Sequence, residues 1–506
     1  MRWIAIIIIL FFGGLIGYWH ATENAGRYFV TDVGGGIIVI TIAIWWISAT
    51  SWNWKRKLAM VAAFGLLPIC FKYDGSRSGS AAPHWTWRFG KAKDVGLDDL
   101  SWLNNSLQGG VDAWQPAAFH KDFTGFLGDR RDGLVRGFEL EPDWEAHPPK
   151  ELWRHRIGLG WSGFVVKGRY AITQEQREEV EMVTCYHLET GEPLWAHRNT
   201  TRFSEGMGSD GPRATPQIDG DWVYALGATG ILDGLDLATG ELKWSRNVLE
   251  EHKSDNLAYG KSGSPLIVDN LVVITGGKSG PILAAYQKFT GEPVWKAANE
   301  SAGYAAPVLG MIGGGRQIVS VNQNSVTGHD PASGRELWRH DWPDKFPKPA
   351  QPQILEGDRV LLTASYGMGS RLLQLKPDGD AFAIEEIWES SRMKTKFSNV
   401  CVKDGYAYGL DEGRFACISL EDGSRQWKDG RYGYGQNFMV GDLIVVQAEQ
   451  GDIVLLRPNP DQLEELARVE ALTSKTWNNP ALAGSYLLVR NDEEAVCYQV
   501  AVKGQL

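Results

Sequence analysis

A six-residue turn ending in tryptophan recurs along this chain. It reads Thr190-Gly191-Glu192-Pro193-Leu194-Trp195, then Thr239-Gly240-Glu241-Leu242-Lys243-Trp244, then Thr290-Gly291-Glu292-Pro293-Val294-Trp295, then Ser333-Gly334-Arg335-Glu336-Leu337-Trp338. A looser copy is Asp422-Gly423-Ser424-Arg425-Gln426-Trp427, and degenerate copies keep the tryptophan at Trp153 and Trp388. Successive tryptophans lie 42, 49, 51, 43, 50 and 39 residues apart. A period in this range marks a repeat architecture, in which one supersecondary unit is copied and buried against its neighbours.

Each repeat has the same texture. In residues 213–248 the stretches 214–218, 222–226, 231–236 and 241–246 predict four short strands. They are separated by Asp219-Gly220-Asp221, Gly227-Ala228-Thr229-Gly230 and Ala238-Thr239-Gly240. Apolar alternation broken by Asp-Gly and Thr-Gly turns is a β-meander signal. Four antiparallel strands per repeat of this length make a propeller blade. Eight blades are counted, the repeat at 463–469 carrying Ala467 in place of tryptophan. Residues 151–157 form a fourth strand with no first three, and 480–498 supply three strands with no fourth. The two ends are expected to complete one blade together, which removes the open edge of the ring.

The net charge of -10 argues against a nucleic-acid role, which needs a basic face to neutralise phosphates. Five cysteines, Cys70, Cys185, Cys401, Cys417 and Cys497, form no CxxC pattern. Cys185 and Cys417 lie six residues before Gly191 and Gly423, an offset that holds Gly234, Ala285 and Gly328 in other repeats. That makes the cysteines small packing residues rather than disulfide partners. Gly313-Gly314-Gly315 reads as a tight turn between strands.

Three apolar runs precede the repeats, at 3–19, 33–47 and 58–71. A spanning helix needs roughly 20 apolar residues, and about 17 at the least. Residues 1–72 are therefore expected to be a membrane anchor of two or three transmembrane helices. Lys55-Arg56-Lys57 is the strongest nearby basic cluster and belongs on the cytoplasmic side. Three spans, the favoured count, then place the repeats outside the cytoplasm, in a multi-pass protein of the bacterial inner membrane; two spans would leave them inside. Residues 73–118 are read as a linker, 119–150 as a lead-in packing on the propeller, and 151–503 as the propeller itself.

With the tryptophan in seven of its eight repeats, the chain resembles the pyrroloquinoline-quinone (PQQ) propeller superfamily. The stretches Gly211-Pro212-Arg213-Ala214-Thr215-Pro216, Lys396-Phe397-Ser398 and Gly433-Tyr434-Gly435-Gln436 are similar to those of membrane-anchored bacterial PQQ-like repeat proteins. The resemblance implies an all-β eight-bladed fold with Trp195, Trp244, Trp295, Trp338 and Trp427 docking adjacent blades. The superfamily holds calcium-dependent quinoprotein dehydrogenases and a non-catalytic scaffold lipoprotein of outer-membrane protein assembly.

Loops from strand four to the next strand one converge on the propeller axis. They carry Trp161, Arg213, Lys261, Tyr304, Asn399, Gln436, Asn437, Trp477 and Asn478, a ring suited to a small molecule or a peptide. These groups also suit hydrogen bonds between neighbouring loops. The expected function is a membrane-anchored binding or scaffold module for a protein or small-molecule partner, with no cofactor. The alternative is a PQQ- and calcium-dependent dehydrogenase of alcohols or sugars, with Glu205, Asp210 or Asp255 on the calcium. The chain has neither the adjacent cysteine pair of many alcohol-oxidising members nor a CxxCH haem site.

Overall fold

A computed structural model of the protein describes residues 114–504 without a break and shorter stretches before them, notably 69–76, 83–90 and 93–98. The apolar runs at 3–19, 33–47 and 58–71 lie almost wholly outside the described residues. Among the described residues no helix is long and apolar enough to cross a membrane. The chain divides into two compact units, residues 1–92 with 205–209, and residues 93–204 with 210–506.

In the first unit, Phe71–Ser76 pairs antiparallel with Pro83–Trp87. This hairpin falls at the edge of the stretch read as an aperiodic linker. Its strands are too short for alternation to stand out, and it is held by edge-to-face contacts of Phe71 with Trp87 at 5.5 Å and Tyr73 with Trp85 at 6.0 Å.

The second unit holds eight sheets built as expected. Blade 1 is Val165–Lys167, Tyr170–Arg177, Val180–His187 and Pro193–Asn199, all antiparallel. Blades 2 to 7 follow in sequence over residues 217–247, 266–299, 308–341, 353–390, 401–429 and 436–470. Blade 8 takes Ala481–Ala483, Tyr486–Arg490 and Glu494–Gln499 from the end of the chain. Its fourth strand is Lys150–Arg156, paired antiparallel with Glu494–Gln499. The last blade is thus closed by two distant segments, and its first strand adjoins that of blade 1.

The tryptophan repeat explains how blades stack. Trp195 is fully buried, and its Nε1 donates to the Leu237 carbonyl of the next blade at 2.9 Å. Trp153, Trp244, Trp295, Trp388 and Trp427 donate in the same way to Leu188, Lys288, Pro331, Leu420 and Asn459. The turn glycine of the following blade lies under the ring, as Gly191 under Trp153 and Gly291 under Trp244. Trp338 differs, donating to Gln317 Oε1 within its own blade at 2.7 Å. Blade 5 has ten-residue third and fourth strands, Gly369–Asp378 and Ala381–Ser390, so its turn is displaced beyond Trp338's reach. Ala467 in blade 7 faces blade 8, whose third and fourth strands have no connecting turn for a tryptophan to dock on. Opposite six of the tryptophans stand Cys185, Gly234, Ala285, Gly328, Cys417 and Cys497, and opposite Trp388 stands the larger Leu372, each just before a β-bulge. The cysteines are free. A small residue here leaves room for the indole.

The seam between blades 8 and 1 carries a buried polar network. The Arg490 guanidinium is buried and donates to Thr173 Oγ1, the Gln174 carbonyl and the Gly158 carbonyl, each at 2.8 Å. Glu175, wholly buried beside it, accepts from Tyr186 Oη at 2.7 Å and Arg177 Nε at 3.1 Å. Burial pushes the Glu175 carboxyl up, but Arg177 and Arg490 outweigh it and hold the group at about 2. Lys93 pairs with Asp492 and Glu493 of blade 8, while Asp94 pairs with Arg202 beyond blade 1.

Candidate functional site

In each blade strands one and three run opposite to two and four. First-to-second and third-to-fourth turns therefore gather at one end of the axis, and second-to-third turns with the fourth-to-first loops at the other.

The first end is occupied by the lead-in. Phe123 bridges Val166 of blade 1, and Ile218 of blade 2 donates its amide to the Thr124 carbonyl at 2.8 Å. Leu134–Val135 adds to the innermost strand of blade 7 in parallel register. Ser485 of blade 8 donates to the Phe119 carbonyl at 2.7 Å. Between these points sits Arg131, buried, donating to the Pro265 carbonyl at 2.6 Å, the Ser264 carbonyl at 3.0 Å and Gln217 Oε1 at 3.2 Å. Burial pushes its guanidinium down to about 9. Five blades are tied together by one segment.

The other end is lined by aromatic rings and cations. Trp161 and Trp477 have centroids 4.8 Å apart, and Trp477 and Phe397 lie at 4.7 Å. Lys475 Nζ sits 4.2 Å from the Trp477 ring and 5.0 Å from that of Trp161. Lys396 Nζ lies 4.5 Å from the ring of Tyr366, 5.0 Å from Tyr434 and 5.8 Å from Phe397. Tyr366 stacks on Phe346 at 4.6 Å. Contacts of this kind are worth about 0.5–2 kcal/mol each, more as water is removed. Burial pushes the Lys396 ammonium below its usual value, and Glu412 and Glu449 offset only part of that. Glu449 accepts from Trp477 Nε1 at 2.8 Å and the Tyr434 amide at 3.2 Å. Glu412 accepts from Ser365 Oγ at 2.6 Å and Tyr434 Oη at 3.3 Å.

The sequence-derived ring divides in two. Trp161 and Trp477 belong to this cluster. Arg213 lies over Phe203 at 4.5 Å, and Tyr304 stands 5.8 Å from Tyr259, at other points of the same end. The amides join blades instead. Asn399 Oδ1 accepts from the Gln351 amide at 2.7 Å, Gln436 donates to Trp477 at 2.8 Å, and Asn478 donates to the Ser162 carbonyl at 2.8 Å. Asn437 Nδ2 contacts Cys401 Sγ at 3.3 Å. Lys261 is fully buried, donates to Thr275 and Gly276, and is pushed down to about 7 by burial.

Glu412, Glu449, Lys396, Lys475 and Tyr366 were missed as site residues. Glu412 and Glu449 each stand six positions past the start of their second strands, Tyr406–Asp411 and Leu443–Gln447. That matched position in adjacent repeats was the available signal.

Each acid considered for calcium has its own surroundings. Asp210 is bound by Arg202 at 2.5 Å and Ser204 at 2.7 Å, Asp255 is exposed, and Glu205 accepts from the Met207 amide at 2.9 Å. Among the described residues no three His, Cys, Asp or Glu side chains group as a metal site.

The family model described as outer membrane protein assembly factor BamB matches residues 143–309 and 278–476. The assembly factor BamB of Xanthomonas campestris pv. campestris is 31% identical over 141 residues, 28% of this chain and 33% of that protein. The chain thus aligns with about a third of that relative's length. BamB of Burkholderia pseudomallei is 26% identical over 303 residues, covering 55% of this chain and 70% of that protein. Among solved structures, BamB from Moraxella catarrhalis superposes with TM-score 0.50 at 16% identity, over 69% of this chain and 97% of that one. Quinohemoprotein alcohol dehydrogenase from Comamonas testosteroni gives 0.52 at 11%, over 75% and 80%. At such identities the structures speak for the fold alone. Family match, repeats and blade topology agree: the chain belongs to the PQQ-like β-propeller family described by the assembly factor BamB.

Proposed function

We propose that this protein is a membrane-anchored, extracytoplasmic, non-catalytic scaffold that holds a protein partner on the fourth-to-first-loop face of its propeller. One observation carries the reading. The loops of blades 5 to 8 bring Phe397, Tyr366, Tyr434, Trp477 and Trp161 together with Lys396 and Lys475, whereas the lead-in crosses the opposite end. Rigid aromatic side chains beside cations are the usual anchors of protein interfaces. The apolar runs before residue 72 and the basic cluster at 55–57 support the anchored, outward placement. The relatives' printed role in outer-membrane protein assembly supports a partner that is itself a protein.

A photo-crosslinking amino acid at Phe397, in the full chain in native membranes, tests this. A discrete protein adduct is expected from Phe397 and none from Gly314, in a tight turn at the other end. Adducts from neither position, together with calcium-dependent PQQ binding by the purified chain, would replace the scaffold reading with the dehydrogenase one.

A further inference from the structure

The loop face is electrically lopsided. The fourth-to-first loops at 342–352, 391–400, 430–435 and 471–480 carry seven lysines and arginines against one acid, Asp344. Lys348 is buried; the others are Lys345, Arg392, Lys394, Lys396, Arg431 and Lys475, half-buried or exposed. The second-to-third turns of blades 5 to 8 add Glu412 and Glu449, both hydrogen-bonded within the aromatic cluster, and Asp492 and Glu493, both paired with Lys93. The loops at 248–265 and 300–307, elsewhere on this face, carry two cations against four acids. This basic sector stands on a chain of net charge -10.

The sector is physically continuous. Phe346 touches Tyr366, Lys396 joins Tyr366 to Phe397 and Tyr434, and Phe397 touches Trp477, which touches Trp161. Ring faces and ammonium groups alternate along it. Lysines held over rings keep their charge near the surface while the rings offer stacking area. A ligand that matches must carry carboxylates and aromatic or other flat side chains, spread over several loops. A long phosphate polymer fits less well, because beyond the sector it meets the acidic remainder of the chain.

Resting on the scaffold reading, we propose that this sector docks an acidic, aromatic-bearing stretch of the partner in extended form. Opposite charge brings the segment in, and the rings hold it once water is expelled.

The test uses the full chain in detergent and three fluorescent probes: a short Glu/Tyr peptide, its Lys/Tyr counterpart and a short duplex DNA. The Glu/Tyr peptide is expected to bind at least about tenfold more tightly than the Lys/Tyr peptide, and to weaken several-fold as salt rises to physiological strength. Lys394→Glu with Lys475→Glu should reduce its affinity about tenfold or more, and Lys253→Glu in the acidic half should leave it unchanged. Should the double glutamate variant fail to fold, Lys394→Gln with Lys475→Gln must still weaken binding. Equal binding of the two peptides, tighter binding of DNA, or unchanged affinity in the double variant overturns the proposal. Crosslinking separates this from failure of the scaffold itself. Equal adducts from wild type and the double variant keep the scaffold and discard the acidic segment, whereas no adduct from wild type discards the scaffold.

Discussion

Gly240 lies beneath the indole of Trp195, so close that a methyl group on its α-carbon would meet ring carbon Cε3 at 2.3 Å. Its φ of 68° is left-handed as well. Gly240→Ala is therefore opposed by both overpacking and backbone strain, and should lower stability by about 2–4 kcal/mol in urea denaturation. Gly314 has φ 75° and nothing within 4 Å of a built β-carbon. Gly314→Ala should show the backbone part alone, about 1 kcal/mol. Equal losses at the two sites would deny the tryptophan contact its role.

Glu175 predicts an acid response. Its folded carboxyl is held at about 2 by Arg177 and Arg490 against burial. A carboxylate in an unfolded chain titrates near 4.3. The depressed folded value means that the stabilisation is fully present above the unfolded value and is lost as pH falls from about 4.3 toward 2. Wild type should lose on the order of 2–3 kcal/mol through this group across that window. Glu175→Gln should be less stable at pH 7 by about 3–5 kcal/mol, since it leaves two buried guanidinium groups uncompensated. The variant's stability should then fall less between pH 5 and pH 2, as read by chemical denaturation at each pH.

Arg131 should decide whether the lead-in stays docked. Its donors reach the Ser264 and Pro265 carbonyls and Gln217, on two blades. Arg131→Ala leaves those acceptors without their buried donor, at about 1–3 kcal/mol each before relaxation. Residues 119–140 should become sensitive to limited proteolysis while the blades stay resistant. Arg131→Lys should rescue only partly, because an ammonium cannot reproduce the planar fork.

Thiol chemistry should follow burial. Burial pushes Cys401 and Cys417 up to about 12, and raises Cys185 and Cys497 as well. None should react with a thiol reagent at neutral pH before unfolding, and all should react in denaturant. Cys70 is half-buried and should be modified first. Native modification of Cys185 would contradict the packing of Trp195 against it.

The repeats were legible because each blade's strands pair with sequence neighbours. Trp222–Leu226 and Ile231–Asp236 form where alternation and turn residues place them. The helix Val248–His252 was not legible, since five residues carry no periodicity; its local signals were the N-cap Asn247, the acids Glu250 and Glu251 in the first turn and His252 in the last. The basic character of the 391–400 loop was visible in Lys394 and Lys396, but not what Lys396 would meet.

The chain's own order of residues determined the blade period, the eight-fold count and the closure of residues 150–156 onto 494–499. It also marked the tryptophans that pack between blades, but the long hairpin of blade 5 decided that Trp338 bonds within its own blade. Closing the ring decided the rest. Lys396, Tyr366 and Tyr434 belong to three different loops, and Arg490 reaches Thr173 across 317 positions. Strand pairing is local and leaves a periodic trace, whereas encounters between loops depend on how successive blades rotate about a shared axis, which no single repeat encodes.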